Sequence, residues 1–137
     1  MNIFILDACA LIAFLSKEEG FDNLKTLFHS SFEDRIILKI NQINLLEVYY
    51  DFIKVCDQKY ADLAMVDIME LPIEIIYDIN YSVFREAGRL KANYRIPLGD
   101  AIALAECIVQ NATLVTSDRK DIEKVEKAEN IKVNWFR

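Results

Sequence analysis

Four acidic residues stand at positions where strand and helix boundaries would bring their carboxylates together. They are Asp7, Glu47, Asp100 and Asp118. Carboxylates crowded into one cleft repel each other and take up protons unless a cation neutralises them. An oxygen-only set with no His or Cys nearby suits Mg²⁺ or Mn²⁺ better than Zn²⁺. Such a site would support metal-assisted hydrolysis of a phosphodiester, with no histidine base or covalent nucleophile.

Two of the acids are of interest because of the strands that precede them. Asp7 ends the apolar run 3–6, and Asp118 follows closely on the predicted strand 113–116. Ligands of open parallel sheets bind beyond the carboxyl ends of the strands, so both acids are expected at one edge. Each also has a structural interpretation, because Asp is a favoured helix N-cap and Asp118 with Asp121 resembles a capping box. Residue spacing alone does not decide whether each of these acids is a helix cap or a catalytic residue.

The other two acids lie within predicted helices. Asp100 shares a helix face with apolar residues, whereas Glu106 and Gln110 are assigned to the polar side. A carboxylate that leads into an apolar face is expected to turn inward, although an acid near a helix start is also favoured by the dipole. Glu47 lies on a narrow polar stripe of an otherwise apolar helix. Periodicity does not distinguish a solvent-facing stripe from the wall of a cleft.

Short apolar runs alternate with helical patterns along the whole chain. This alternation predicts a single domain over residues 1–137, an α/β sandwich with a largely parallel sheet and right-handed crossovers. Pro97 predicts a turn over residues 96–99. The predicted strands are 2–6, 36–40, 73–77, 113–116 and 131–135, and the predicted helices are 8–15, 21–28, 41–56, 59–70, 81–93, 100–110 and 121–128.

Composition indicates a globular protein that is not held together by disulfide bonds. A chain of 137 residues that is 53% hydrophobic can bury a sizeable core. Cys9, Cys56 and Cys107 are an odd, widely spaced set with a single histidine, His29, which counts against a zinc site or a disulfide framework. We expect all three as small core residues in a cytoplasmic protein. No run is long enough to span a bilayer.

Charge is unevenly spread along the chain. The net charge of −6 counts against a broad nucleic-acid-binding surface. Residues 57–79 carry six acids against one lysine, whereas residues 80–96 carry four basic residues against one acid. A local basic patch on an acidic protein is therefore possible.

Four segments together resemble one known family. The segments 5–12 (Ile-Leu-Asp-Ala-Cys-Ala-Leu-Ile), 44–47, 98–105 and 114–121 stand in the order and spacing of PIN-domain nucleases. The resemblance covers essentially the whole chain, and it is closest to the VapC-like toxins of bacterial and archaeal toxin–antitoxin pairs. Any one segment is a weak signal, whereas four in register are fairly specific.

The resemblance implies a three-layer α/β/α sandwich with a parallel sheet, an acidic pocket that binds Mg²⁺ or Mn²⁺, and metal-dependent endoribonuclease activity. It also implies a homodimer that a cognate antitoxin holds inactive. By matching motifs, Thr116 helps to orient the last acid and Asp121 is a supporting outer carboxylate. The metal-binding and water-activating roles fall to Asp7, Glu47, Asp100 and Asp118.

Two positions depart from the family pattern, and the RNA-binding surface is not evident. Ala8 stands where many members have Ser or Thr, and Asp118 where many have Asn, so the division of labour between Asp118 and Asp121 stays open. RNA-binding candidates are basic residues of the 80–96 segment, for which a solvated helix face is the alternative. They are Arg85, Arg89, Lys91 and Arg95. The alternative function is a non-catalytic PIN-fold module that holds RNA or a protein partner.

Overall fold

A parallel five-stranded sheet forms the centre of the structure, a computed structural model that describes residues 1–137. The strands are β1 (Asn2–Leu6), β2 (Ile36–Asn41), β3 (Glu74–Ile76), β4 (Thr113–Thr116) and β5 (Val133–Trp135). Their order across the sheet is β3-β2-β1-β4-β5, and every neighbouring pair is parallel. The predicted α/β fold is confirmed.

Seven helices connect the strands. They are α1 (Ala8–Leu15), α2 (Phe21–Phe32), α3 (Gln42–Val55), α4 (Gln58–Met69), α5 (Tyr81–Asn93), α6 (Leu98–Gln110) and α7 (Arg119–Glu129). None of them is long and apolar enough to cross a membrane.

Three helix boundaries differ from the sequence-based prediction by two residues or more. Helix α2 continues to Phe32, four residues beyond the predicted end. Helix α6 begins at Leu98, so the predicted turn is wrong for its last two residues. Pro97 restricts the residue before it, and with ψ 155° it lies outside the helix as N-cap, so the residue after it is free to be helical. Asp118 caps α7, which therefore begins at Arg119 rather than at residue 121.

Alternate residues of the central strand enter two separate apolar cores. Ile5 packs with α5, α6 and α7 on one face of the sheet, in a cluster that includes Leu104. Leu6 packs on the opposite face with α1, α2 and α3, in a cluster that includes Leu11. Successive side chains of a strand point to opposite faces, so a strand apolar at both positions is buried between two helical layers. The structure therefore has three layers, as predicted.

The central position of β1 fixes the carboxyl edge of the sheet. Leu6 is in register with Val115 of β4, and the Asp7 amide donates to the Val115 carbonyl at 3.0 Å. The residues that follow β1 and β4 therefore emerge side by side.

The three cysteines occupy different environments, and none is in a disulfide. Cys107 is buried, as expected, and Cys9 is half-buried. Cys56 is exposed, so its assignment to the core was wrong. It is the C-cap residue of α3, where the chain leaves the helix and turns toward α4.

Candidate functional site

The Asp7 carboxylate is both a helix cap and part of a cleft. Its Oδ1 accepts a hydrogen bond from the Ala8 amide at 2.8 Å, which caps α1. Its Oδ2 accepts from the Thr116 hydroxyl at 2.8 Å and lies 3.6 Å from the Cys9 sulfur. The side chain is buried. The two interpretations of Asp7 are therefore compatible, because one oxygen caps while the other faces the neighbouring strand end.

Thr116 links the first and the last of the four acids. Its hydroxyl donates to Asp7 and accepts from the Asp118 amide at 3.1 Å. Asp118 in turn accepts from the Asp121 amide at 3.3 Å and caps α7. A single hydroxyl at the end of β4 thus holds the Asp7 side chain and the Asp118 backbone in one arrangement.

Asp100 is a buried carboxylate with an unpartnered oxygen. It lies in the first turn of α6 with 6% of its surface exposed, and its Oδ2 has no hydrogen-bond partner. Carboxylate oxygens of Asp100, Asp118 and Asp121 all lie within 4.8 Å of one another. Buried polar atoms are usually satisfied, so this oxygen indicates that a ligand belongs here.

Glu47 reaches the same cleft from α3. Asn44, one turn earlier, donates to Glu47 Oε1 at 3.3 Å and to the Gly99 carbonyl of α6 at 2.9 Å. A Cβ at Gly99 would overlap the Glu47 carboxylate, so the glycine leaves the space that this carboxylate occupies. Glu47 therefore forms the wall of a cleft, the alternative that periodicity left open.

The four acids line one open cleft of about 380 Å³. Asp121 belongs to the acidic group but does not line the cleft. The lining contains no lysine or arginine. Its residues are Asp7, Ala8, Cys9, Ile12, Glu47, Tyr50, Asp51, Pro97, Asp100 and Asp118.

Burial and mutual repulsion shift the ionisation of these acids. Burial, the Asp7 charge and Asp118 raise the pKa of Asp100 to about 9. Burial chiefly raises the pKa of Asp7, against the opposing hydrogen bonds from Thr116 and Ala8. Burial and the Asp7 charge also raise the pKa of Glu47. In the protein alone, Asp100 therefore holds a proton at neutral pH that a cation would displace.

The donor set fits a hard divalent cation. Several carboxylate oxygens converge, no basic side chain neutralises them, and one buried oxygen lacks a partner. Mg²⁺ and Mn²⁺ favour carboxylate oxygen ligands of this kind.

Among the residues of the site that sequence reasoning missed, three contact the acids or the side chain that orients them. Cys9, expected in the core, lies 3.4 Å from the Thr116 hydroxyl oxygen, and burial raises the pKa of its thiol to about 11. Asn44 and Gly99 join α3 to α6. The available signal was sequence proximity, since each lies within three residues of a candidate acid.

Comparison with a family model identifies the domain. The PIN domain model matches residues 4–128. A comparison with curated proteins gives no match.

Several solved structures share the fold. VapBC2 from Rickettsia felis, bound to a DNA fragment from its promoter, is 21% identical with TM-score 0.75, covering 96% of this chain and 97% of that chain. DNA-bound VapBC from Salmonella typhimurium is 16% identical with TM-score 0.76, covering 100% of each chain. VapC20 from Mycobacterium tuberculosis, a sarcin-ricin loop cleaving toxin, is 11% identical with TM-score 0.69, covering 88% and 94%. The match of the family model over nearly the whole chain shows that this protein belongs to the PIN domain family.

Proposed function

We propose that the chain is a metal-dependent endoribonuclease, the toxin of a toxin–antitoxin pair. The observation that carries the proposal is the unpartnered, buried Asp100 Oδ2 within a cluster of acids that no basic side chain neutralises. Membership in the PIN family and the acid-lined cleft support a nuclease. The choice of RNA rests on the VapC-like segments and on a structural neighbour that cleaves the sarcin-ricin loop.

Asp7, Glu47, Asp100 and Asp118 would hold Mg²⁺ or Mn²⁺, with Asp121 in support. When bound, the ion supplies charge neutralisation and Lewis acidity for hydrolysis of a phosphodiester by water. The four carboxylates argue against zinc, and the raised pKa of the Cys9 thiol, about 11, keeps the one sulfur of the cleft protonated.

The side chains around the acids fix their orientation. Thr116 holds Asp7 through its hydroxyl, and Asn44 holds Oε1 of Glu47. We assign to Glu47 Oε2, which the Asn44 hydrogen bond leaves free, the acceptance of a proton from the attacking water. The open side of the cleft admits the RNA phosphate.

We also propose a cognate antitoxin and a second copy of the chain as partners in the cytoplasm. The support is the fold, which the chain shares with toxin chains of VapBC complexes. Helix α4 offers a surface for a protein partner, because Leu63, Val66 and Met69 are exposed apolar residues there. Size-exclusion chromatography with multi-angle light scattering, on the chain alone and with the product of a neighbouring antitoxin gene, would test both associations.

The nuclease is tested with a purified, structured RNA. We expect cleavage with Mg²⁺ or Mn²⁺, and none with chelator or with Asp7→Asn prepared in the same way. Cleavage that survives Asp100→Asn combined with Glu47→Gln would come from a contaminant or from another site, and would contradict the assignment. Absence of Mn²⁺ binding by calorimetry would favour the non-catalytic module instead.

Toxicity is tested by expression in bacteria. We expect the wild-type chain to arrest growth and Asp7→Asn to allow it at equal protein level. Equal growth of the two strains would contradict the toxin assignment.

A further inference from the structure

Arg119, the residue directly after Asp118, carries a charge that no acid neutralises. It is the first residue of α7 and is exposed, and the acid before it lines the cleft. Its side chain donates to the Arg137 carbonyl at 3.1 Å, and no carboxylate lies within salt-bridge distance of it. The guanidinium therefore keeps most of its N–H donors free.

The Arg119 side chain is nevertheless fixed in position. Its guanidinium carbon lies 4.5 Å from the centroid of the Trp135 ring, which is a cation–π contact. The ring is oriented in turn, because its Nε1 donates to Glu126 Oε2 at 3.3 Å. The Arg119 amide also donates to the Ser117 carbonyl at 3.0 Å. A side chain that is already ordered loses less conformational entropy on binding a ligand than a mobile one does.

This combination distinguishes Arg119 from the other arginines of the chain. Three of them contact a glutamate at 3.0 Å or less, and they are Arg35, Arg89 and Arg137. The remaining two have neither an acidic partner nor a cation–π contact, and they are Arg85 and Arg95. Arg119 combines an unneutralised charge with a fixed guanidinium, so its charge is available to an anion from outside the chain.

Trp135 places this guanidinium beside the acidic site. It belongs to β5 and is in register with Thr116 of β4, the residue whose hydroxyl holds Asp7. Neighbouring strands lie about 4.8 Å apart, so the residue that contacts the guanidinium is one strand away from Thr116. Arg119 therefore lies at the carboxyl edge of the sheet, on the side of the cleft that α7 forms rather than on the α3 side.

A cation at this position offers a contact that the cleft itself lacks. The cleft is lined by acids and by no basic side chain, so it repels a phosphate that approaches it. A guanidinium is planar, and its parallel N–H donors match two oxygens of a phosphate group. Arg119 is therefore suited to a phosphate that lies outside the cleft on the α7 side.

We infer that Arg119 binds a backbone phosphate of the substrate on the α7 side of the acidic cleft, an inference that rests on the proposed function. The ligand is a phosphodiester anion, and the Trp135 ring presents the guanidinium to it. This contact offsets locally the repulsion between a polyanion and a protein of net charge −6. Arg119 is accordingly a substrate-positioning residue that does not touch the reacting atoms.

The alternative role for Arg119 is to fix residues 135–137 to α7. Those residues have other anchors, because Phe136 is fully buried, its carbonyl accepts from Asn23 at 3.0 Å, and Arg137 is paired with a glutamate. Fixing this segment does not require an exposed and unneutralised charge. The two roles differ in what they predict, since a phosphate contact depends on charge and on salt.

Binding is measured separately from cleavage. Asp100→Asn protein, which the proposed function requires to be inactive, is titrated into a fluorescein-labelled sample of the RNA used in the cleavage test, and anisotropy gives Kd. Adding Arg119→Gln is expected to raise Kd about tenfold at low salt, through loss of a charge-assisted hydrogen bond. The slope of log Kd against log salt is expected to fall by roughly 0.7–0.9, the contribution of one phosphate contact.

Arg119→Lys separates phosphate binding from the structural role. Lysine keeps the charge but lacks the planar guanidinium, so the salt dependence is expected to stay and Kd to rise less than in Arg119→Gln. A purely structural role predicts a lower free energy of unfolding in urea for both variants and an unchanged salt dependence for both. In the otherwise wild-type chain, Arg119→Gln is expected to raise KM with little change in kcat, because the contact lies outside the reacting atoms.

Two arginines that are already paired serve as matched controls. Arg137→Gln and Arg35→Gln change the net charge by the same amount as Arg119→Gln. Their charges are engaged within the chain, Arg137 by Glu18 at 3.0 Å and Arg35 by Glu33 at 2.6 Å. Both are expected to change Kd about twofold at most. The first controls for charge close to Arg119, and the second for charge at the amino edge of the sheet.

Trp135 is the only tryptophan of the chain, so its emission reports on the contact with Arg119. A phosphate that engages the guanidinium changes the electrostatic field at the indole ring. Saturating unlabelled RNA is therefore expected to change the Trp135 emission of the Asp100→Asn protein. Adding Arg119→Gln is expected to abolish that change at RNA concentrations that saturate both proteins.

The inference would be overturned by any of four results. They are unchanged Kd and salt dependence in Arg119→Gln, equal weakening in both arginine controls, Trp135 emission that RNA does not alter, and no RNA binding by the Asp100→Asn protein. RNA binding through Arg119 by a chain whose wild type cuts no RNA would contradict the proposed function and leave the assignment of Arg119 standing. Cleavage by the wild type that Arg119→Gln matches at every RNA concentration would do the reverse.

Discussion

Two buried carboxylates on helix α6 have opposite surroundings. Glu106 is 2% exposed, and both of its oxygens accept hydrogen bonds, from Asn41 at 2.7 Å and from Gln110 at 3.0 Å. Asp100, about two turns earlier, is 6% exposed, yet its Oδ2 has no partner and its neighbours are other acids.

The difference distinguishes a carboxylate whose hydrogen bonds are satisfied within the protein from one whose unpartnered oxygen indicates a ligand. Two amides satisfy Glu106, so the protein alone accounts for its burial. Asp100 costs free energy to bury in the absence of a cation, and the fold maintains that arrangement at the end of the sheet where ligands bind. Burial of an acid is therefore a weak sign of function, whereas burial without partners is a stronger one.

Replacing Asp100 should have the largest effect on activity. We expect Asp100→Asn to lower cleavage by about 100-fold or more, since even outer-shell changes at metal sites cost about 10- to 100-fold. Mn²⁺ affinity should fall in parallel. Calorimetry and single-turnover cleavage measure the two quantities, and Glu106→Gln, a carboxylate-to-amide change outside the cleft, is the matched control. Equal losses of cleavage and Mn²⁺ affinity in both variants would contradict the distinction between Asp100 and Glu106.

The metal-free protein should become less stable as pH rises from about 4 to about 9. The folded-state pKa of Asp100 is raised to about 9, mainly by burial, so the folded state binds more protons than the unfolded state across this window. The stabilisation by the proton is complete below the unfolded pKa and is lost as pH approaches the folded value. Urea unfolding with chelator at several pH values measures the slope, which Asp100→Asn should flatten. An unchanged slope would show that Asp100 is not the titrating group.

Removing the Glu106 carboxylate should affect stability rather than chemistry. Glu106→Ala leaves the buried amide of Asn41 and the amide of Gln110 without this acceptor, which is expected to cost about 1–3 kcal/mol of unfolding free energy. Cleavage measured well below the transition temperature should stay close to wild type. Denaturant unfolding is the measurement, and a loss of Mn²⁺ affinity at full stability would contradict the structural role.

Of the four predicted effects, the one that follows from filling the space beside Glu47 should be the smallest. The methyl group of Gly99→Ala overlaps the Glu47 carboxylate, which is the flexible end of its side chain and is expected to swing away. We expect cleavage to fall about tenfold because the group proposed to accept the proton is displaced. The transition temperature should change little, since no backbone is involved. A large loss of stability with normal specific activity would show that the clash is relieved elsewhere.

The sequence predicted the sheet and most helices because short apolar runs and helical periodicity are local properties. It also predicted that Asp100 turns inward, since the apolar face around it is visible on a helical wheel. The same wheel placed Glu106 on the polar side, although it is buried, because its amide partner Asn41 lies 65 residues away at the end of β2. Long-range partners of this kind leave no local signal.

The position of Glu47 also depends on a contact between residues that are far apart in the sequence. The polar stripe of its helix is compatible with facing either solvent or a cleft. Which of the two it faces depends on how α3 packs against α6. That contact is made by Asn44 and the Gly99 carbonyl, a pair separated by 55 residues. Cys56 was misplaced because a cysteine ending an apolar helix looks like core, while only the full fold shows that the helix end protrudes.

The insertion of β4 beside β1 has a consequence for synthesis on the ribosome. Asp7 is translated early, but the hydroxyl of Thr116 that orients it comes 109 residues later. Asp118 follows Thr116, so a nascent chain presents no complete set of acids until β4 has emerged and paired with the first strand. The strand order thus delays assembly of the proposed nuclease centre until most of the chain has been synthesised.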